Sequence, residues 1–423
     1  MIPRKIKCIF VALIAIGISG ILWAEETKEN ALSLEQCVAL ALRENPLFLS
    51  SLEQYKASLA RIHQAKALPQ PSLDFDSDLQ PNIFNFKDSG ESYFGISQTV
   101  EFPGKRQVRG KIASRESDEI LSEIDLLKLD ITFQVKQAFY GLLLAQEKIK
   151  YAQQDLELSQ DFLEKAELKH AAGDVAKAEV LRARVEASKA ANALRVAQNE
   201  KRLAAAMLNF LLGRKKYEPI EIRGEIKRPF VTLDIEELRQ RAFSFRPEIK
   251  RINFALERET LKKKQGYLSY LPNFDIGISQ HRLVGKQKTW DFTVSLPIPI
   301  FFWQPKKGEI AEAEANIESF KREADHLKNA ISLEVEEAFT NASTASNQIK
   351  LFEEEILTQA EEVYNMFLFS FQEGEIGGIE LIEARRTLLE ARKAYADALY
   401  NYNLTIAALE KSVGQTLEGG KSD

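Results

Sequence analysis

Residues 120–166 read ILSEIDLLKLDITFQVKQAFYGLLLAQEKIKYAQQDLELSQDFLEKA. Apolar or small side chains recur at Ile120, Ile124, Leu127, Ile131, Val135, Ala138, Leu142, Ala145, Ile149, Ala152, Leu156, Ser159, Leu163 and Ala166. The steps alternate between three and four, with one doubled four around Ile131. Such a spacing keeps one helix face against a partner, a coiled-coil seam with a single stutter. The pattern predicts a helix from about Lys105 to Ala172, on the order of 100 Å long at 1.5 Å per residue. A second seam follows at Ala338, Ala342, Ala345, Ile349, Phe352, Ile356, Gln359, Val363 and Met366. Helices this long cannot curl into a compact globule. Their seams are rich in small residues, which suits close packing against neighbours, with charged faces left to water.

The two seams belong to a repeat, the first thing to seek in a chain of this length. Leu32-Ser33-Leu34-Glu35 … Asn45-Pro46 returns as Leu233-Asp234-Ile235-Glu236 … Arg246-Pro247, 201 residues later. Pro71-Ser72-Leu73-Asp74-Phe75 returns as Pro272-Asn273-Phe274-Asp275-Ile276, and Gly110-Lys111-Ile112-Ala113 as Gly308-Glu309-Ile310-Ala311. Gly173-Asp174-Val175 is echoed by Gly374-Glu375-Ile376, and Leu212-Gly213 by Val413-Gly414. Five matches in one order, at offsets of 198–201, indicate a duplication with units at about 30–215 and 230–415. Each unit is expected to run helix, two strands, very long helix, glycine turn, helix.

The expected strands, at about 71–80, 91–102, 272–283 and 289–300, alternate with period two. Leu73 and Phe75 share a face opposite Asp74, Asp76 and Asp78. Phe94 and Ile96 oppose Tyr93, Gly95 and Ser97; Trp290, Phe292 and Val294 oppose Asp291, Thr293 and Ser295. A small sheet capping the coils in water would show the same alternation. Two details point elsewhere: a length of about 10 residues, which crosses an outer membrane when tilted, and aromatics concentrated on the apolar face. Four strands cannot close a barrel, and open edges cannot face lipid. If the strands span, several chains must share one barrel; three copies make it 12-stranded, and the same symmetry would gather the helices into a tube.

Composition narrows the function. With 45% apolar and 28% charged residues the chain is not a polytopic helical membrane protein. A net charge of −5 leaves no basic surplus for nucleic acid. Two cysteines, four histidines and three methionines cannot build a dense soft-metal site, and no cofactor motif is present. His63, His170, His281 and His326 are scattered, without a carboxylate at ligand spacing, and read as surface histidines. The C-terminal Gly-Lys-Ser misses P-loop spacing by one residue. No nucleophile elbow or paired catalytic carboxylates appear, so no enzyme is expected. Arg4, Lys5 and Lys7, the apolar run from Cys8 to Trp23 and the acidic residues from Glu25 have the layout of a secretory signal peptide over residues 1–24.

These features together resemble the TolC-type outer-membrane efflux proteins, and within them the cation and heavy-metal branch. The resemblance covers essentially the whole mature chain. It is carried by the duplicated openings at Asn45-Pro46 and Arg246-Pro247, by Pro71 and Pro272 at the strand entries, and by Thr99-Val100-Glu101-Phe102-Pro103-Gly104-Lys105-Arg106. It implies a mainly α protein with a transmembrane β-hairpin pair. A homotrimer would form a long coiled-coil α-helical barrel in the periplasm and a shared 12-stranded β-barrel in outer-membrane lipid. A periplasmic adaptor and an inner-membrane, proton-driven pump would complete the machine. The chain would be a passive conduit and do no chemistry. It lacks the lipid-bearing Cys of lipoprotein members, so anchoring would fall to the barrel.

The resemblance also implies sites. Glu380 and Glu383, one helix face at i, i+3, align with an acidic pair at the periplasmic gate, with Glu179 the counterpart in the first unit. Arg385 and Arg386 stand near enough in sequence to offset their repulsion. Adaptor contact is expected at the turns Gly173-Asp174-Val175 and Gly374-Glu375-Ile376-Gly377, and cation attraction at Asp74, Asp76 and Asp78 in the barrel lumen. A merely solvated face fits the same acidic residues. Two other roles remain open at this level: the outer channel of a type I protein secretion system, or an exported coiled-coil protein with no pore.

Overall fold

The computed structural model describes residues 31–78, 89–228, 234–298, 300 and 303–417. The signal segment lies outside these residues, as does the expected extension of the first strand to residue 80. The described chain begins with two helices, α1 (Leu34–Glu44) and α2 (Pro46–Ala65). A capping box starts α1: the Ser33 hydroxyl accepts from the Gln36 amide at 3.3 Å, and the Gln36 side chain accepts from the Ser33 amide at 2.8 Å. Pro46 then opens α2, where its missing N–H has no helical partner to lose. The strands β1 (Ser72–Asp78) and β2 (Glu91–Val100) follow, then α3 (Lys105–Ala172) and α4 (Lys177–Leu211).

The second half runs in the same order: α5 (Ile235–Phe245), α6 (Pro247–Ser269), β3 (Phe274–Leu283), β4 (Thr289–Ser295) and α7 (Trp303–Leu351). A π-helical turn (Phe352–Ile356) joins α7 to α8 (Leu357–Gln372), and α9 (Gly378–Val413) returns along them. Each half closes on itself alike. Asn45 donates through Nδ2 to the carbonyl of Leu211 at 2.8 Å, and Arg246 through Nη1 to that of Ser412 at 3.0 Å. The carbonyls at the end of α4 and of α9, unpaired within their helices, are thereby satisfied by the residue that precedes each proline.

Two hydrophobic clusters occupy these closed regions. Cys37, Val135, Leu142, Leu208 and Leu212 centre the first; Ile331, Val335, Ile349, Leu409 and Val413 centre the second. Along α3 the expected seam is the buried face: Ile131, Val135, Leu142, Ala145, Ala152, Ser159 and Ala166 are all buried. The second seam holds as far as Ile356, which still packs against the core. The π-helical turn inserts one extra residue, so Gln359 and Met366, expected in the seam, are exposed, and Ala360 is buried instead. A period read from sequence assumes 3.6 residues per turn throughout and cannot register that insertion.

All four strands form one antiparallel sheet in the order β1-β2-β3-β4. The two hairpins join through β2 and β3, paired along Glu91–Val100 and Phe274–Leu283. β4 ends at Ser295, short of the expected residue 300; Pro297 and Pro299 have no N–H to donate to a ladder. Likewise β2 stops at Val100, before Pro103. Below the sheet, Asn273 binds both the Phe102 amide (3.3 Å) and Lys105 Nζ (2.8 Å), tying the start of α3 to the entry of β3.

Between sheet and tube the halves differ. Ser58 and Ser117 are buried and share a 2.8 Å hydroxyl contact between α2 and α3. At the matching place in the second half stands Glu259 of α6, 1% exposed. Arg258 and Lys262 each reach it at 2.9 Å, and Asn316 of α7 at 3.2 Å. Arg258 also contacts Glu119 of α3 at 2.7 Å, so the network bridges the two halves.

Candidate functional site

At the far end of the helical hairpins the chain reverses twice. Gly173 (φ 87°) ends α3 and Gly374 (φ 77°) follows α8, both left-handed, a conformation that glycine takes without Cβ strain. The hydrogen bonds repeat as well. Asp174 N–H donates to the Lys169 carbonyl at 2.9 Å and Gly173 N–H to that of His170; Glu375 and Gly374 do the same to Ser370 and Phe371. Val175 and Ile376 follow on the two turns, and the Val175 carbonyl lies 2.9 Å from His170 Nδ1. Gly377 has φ −81°, extended backbone open to any residue. The closer constraint is at Gly378, where a Cβ would stand 2.6 Å from the Phe162 ring. Between the turns lies a groove of about 430 Å³ lined by Phe162, Leu168, Phe371 and Ile376, with Lys169 and Glu179 at its rim.

Above the tips the structure keeps Arg386 beside the expected acidic pair and turns Arg385 away from it. Glu380 and Glu383 are exposed on α9 and Glu179 is exposed on α4. Arg385 does not turn to Glu380 or Glu383. Its Nη2 lies 3.1 Å from Asp155 Oδ1 and 2.8 Å from Ser159 Oγ, both on α3. Arg386 stays on its own helix, 3.9 Å from Glu383 and 3.2 Å from Glu390. Asp155 was not legible as a site residue: α9 reaches it only because α3 and α9 pack side by side. A cleft of about 260 Å³ opens there, with Asp155, Arg385, Glu383, Arg386, Glu186 and Lys189 around it.

The sheet has two unlike faces. Across it the register sets Leu73, Ile96, Ile278 and Phe292 in one row, with Phe75, Phe94 and Trp290 beside them. These apolar side chains are half to two-thirds exposed, Phe292 at 68% and Trp290 at 70%. An apolar face whose side chains stay about half or more exposed among the described residues marks a surface that meets something apolar. On the other face Asp74 stands opposite Gly95, Asp76 opposite Tyr93, and Asp78 opposite Glu91.

His281 is on that polar face, and it is not a solitary surface histidine. Its ring stacks on Tyr93 at 4.2 Å and lies 2.6 Å from Glu91 Oε1, with Asp291 at 3.8 Å. These partners come from adjacent strands, which sequence spacing could not reveal. Among the described residues no group of three or more His, Cys, Asp or Glu side chains is arranged to hold a metal ion. Cys37 is buried, and that burial pushes its thiol up to about 11, far from a reactive thiolate.

A sheet with one apolar and one acidic face, carried on helical hairpins whose longer arm, α3, runs on the order of 100 Å, has the build of a membrane-anchored conduit. The chain belongs to the outer membrane efflux protein family, which it matches over residues 37–214 and 239–415. It is 23% identical over 398 residues to the cobalt-zinc-cadmium resistance protein CzcC of Cupriavidus metallidurans, covering 91% of this chain and 90% of that one. Among solved structures it resembles CusC, with a TM-score of 0.73 at 17% identity, covering 90% of this chain and 92% of that one. The CmeC outer membrane channel of Campylobacter jejuni aligns with a TM-score of 0.71 at 16% identity, over 92% and 87% of the two chains. The protein is thus an outer-membrane efflux channel, with its helical part in the periplasm.

Proposed function

We propose that three copies of this chain form the outer duct of a tripartite efflux machine. The observation that carries this reading is the open sheet. Among the described residues the outer edges of β1 and β4 have no partner strand, and the apolar face stays about half or more exposed. Lipid cannot satisfy backbone N–H and C=O groups, so a membrane position requires those edges to pair with other copies. Three copies supply 12 strands. A second surface supports the same count of neighbours. Along α4, Leu181, Val185, Val196, Leu203, Met207 and Phe210 are about half or more exposed at near-heptad spacing, on a helix that packs within its own chain against α3. A neighbouring copy would cover this stripe and close the helices into a barrel.

In this assembly the groove between the two tips receives a periplasmic adaptor. The adaptor links the duct to a proton-driven pump in the inner membrane. The Arg385–Asp155 contact holds α9 against α3 just above the tips, and Glu380, Glu383 and Glu179 from each copy ring the entrance. Asp74, Asp76 and Asp78 line the barrel lumen. Similarity to a cobalt-zinc-cadmium resistance protein favours metal cations as cargo, delivered by the pump rather than held here. The two units at about 30–215 and 230–415 then arise by duplication, each giving one hairpin of the barrel and one of the tube. Native mass spectrometry of the chain extracted from an outer-membrane fraction tests the assembly: a detergent-dependent trimer is expected, and a monomer free in the periplasm would refute it.

A further inference from the structure

We propose that His281 sets the cation preference of the sheet's polar face through its protonation state. The proposal rests on the channel reading, which makes this face the lumen. Seen along the four strands, the face carries Asp74, Asp76 and Asp78 on β1, Glu91 on β2, Asp275 on β3 and Asp291 on β4. Among the described strand residues it carries no Lys or Arg. His281 is its single base.

Position makes that base effective. The imidazole lies between the two strands that flank β3, with Glu91 at 2.6 Å on one side and Asp291 at 3.8 Å on the other. Tyr93 stacks flat against it, with an interplanar angle of 11°, and donates its own hydroxyl to Glu91 at 2.7 Å. Asp76 and Asp78 come from β1, one strand beyond, and Lys286 sits in the turn after β3. The ring is therefore held in place by stacking and packed against carboxylates rather than free to swing into water.

A neutral imidazole leaves Glu91 and Asp291 as two full negative charges facing the lumen. An imidazolium offsets one of them in every copy, at contact distance and in a wall backed by lipid, where such charges are poorly screened. Imidazole is the side-chain type that ordinarily changes charge between pH 8 and pH 6, and His281 is the one imidazole on this face among the described residues. Mild acid at the outer mouth thus weakens the attraction for cations without moving any strand.

Reversal potentials of the purified full-length protein in planar bilayers, under a KCl gradient at pH 8 and pH 6, test this. The potassium-over-chloride permeability ratio of the unaltered protein should fall by about twofold or more between the two pH values. His281→Gln, similar in size and unable to charge, should hold one ratio at both. Asp291→Asn should lower the ratio at pH 8 yet keep its fall at pH 6. A pore whose selectivity is the same at both pH values, or a His281→Gln pore that retains the full response, overturns the role of His281 and leaves the channel standing. Failure to form any pore would remove both readings together.

Discussion

Arg385 of α9 holds Asp155 of α3 at 3.1 Å, with the hydroxyl of Ser159 at 2.8 Å completing the contact. Both charged side chains are mostly buried, at 13% and 18% exposure. The guanidinium Nε is buried with no hydrogen-bond partner among the described residues. An arginine desolvated and only partly satisfied ties the helices while leaving the tie breakable.

Removing that tie should free the entrance. Arg385→Ala, or Asp155→Ala, leaves its partner buried and unpaired, a loss of about 3–5 kcal/mol in typical cases. Single-channel recordings should show higher or more frequent open conductance for either variant. The double variant should gain less than the two single effects summed, because both act on one contact. Additive effects would show that the contact does not hold the entrance.

Glu380 and Glu383 act differently, as exposed charges. Replacing both with Ala should raise conductance and weaken block by divalent cations, while the thermal midpoint stays within about 1 °C, since exposed charges contribute little to stability. An unchanged trace would take these residues out of the gate.

At the tips, substitution of Gly374 by Val places a β-branched residue at φ 77°, costing about 1–2 kcal/mol locally. Gly378→Leu drives a side chain into Phe162 and fills the groove. Both variants should insert in the membrane normally and lose efflux in cells. Efflux at the unaltered level from Gly378→Leu would show that the groove does not receive the adaptor.

Phe292→Arg tests which face meets lipid. An arginine near the bilayer midplane of a barrel costs about 2–4 kcal/mol, against almost nothing on a face in water. The expected result is impaired assembly in outer-membrane fractions, with Thr293→Arg, on the opposite face, tolerated better. Equal assembly of the two would place the aromatic face in water.

The Glu259 network should set an acid limit on stability. Burial pushes this carboxyl up, but Lys262, Arg258 and Asn316 outweigh it and hold it below the ordinary carboxylate range. Its contribution is therefore complete above the usual unfolded value near 4.3 and is lost as pH falls through the lower folded value. Glu119 runs the other way: burial raises it, against the pull of Arg258, so what it contributes disappears as pH rises through its folded value. Thermal melts from pH 6 to pH 3 should show a loss of stability in the acid arm that Glu259→Gln flattens.

Much of this architecture is local and was legible in the chain. The seam of α3 works because a 3.5-residue period buries the same side chains whatever they meet, and Val135, Leu142 and Ala152 are buried accordingly. Alternation assigned the two faces of the sheet, since neighbouring residues of a strand must point to opposite sides. Gly173 and Gly374 marked the reversals because a left-handed turn favours glycine. Where the local rule had an exception, the reading drifted: the π-helical turn displaced Gln359 and Met366, and the proline pair shortened β4.

The sequence by itself determined the periods, the repeat, the turns and the acidic face, all properties of residues near one another along the chain. Only the tertiary structure decided the pairings. It gave Asn45 to Leu211 and Arg246 to Ser412, drew Arg385 to Asp155, and packed His281 between Glu91 and Asp291. Those contacts depend on which helices lie side by side and on which strands share a ladder. Charge and hydrogen bonding act over a few ångströms of space, and for all of these contacts but that of His281 with Asp291 the chain brings those ångströms together from well over a hundred residues apart.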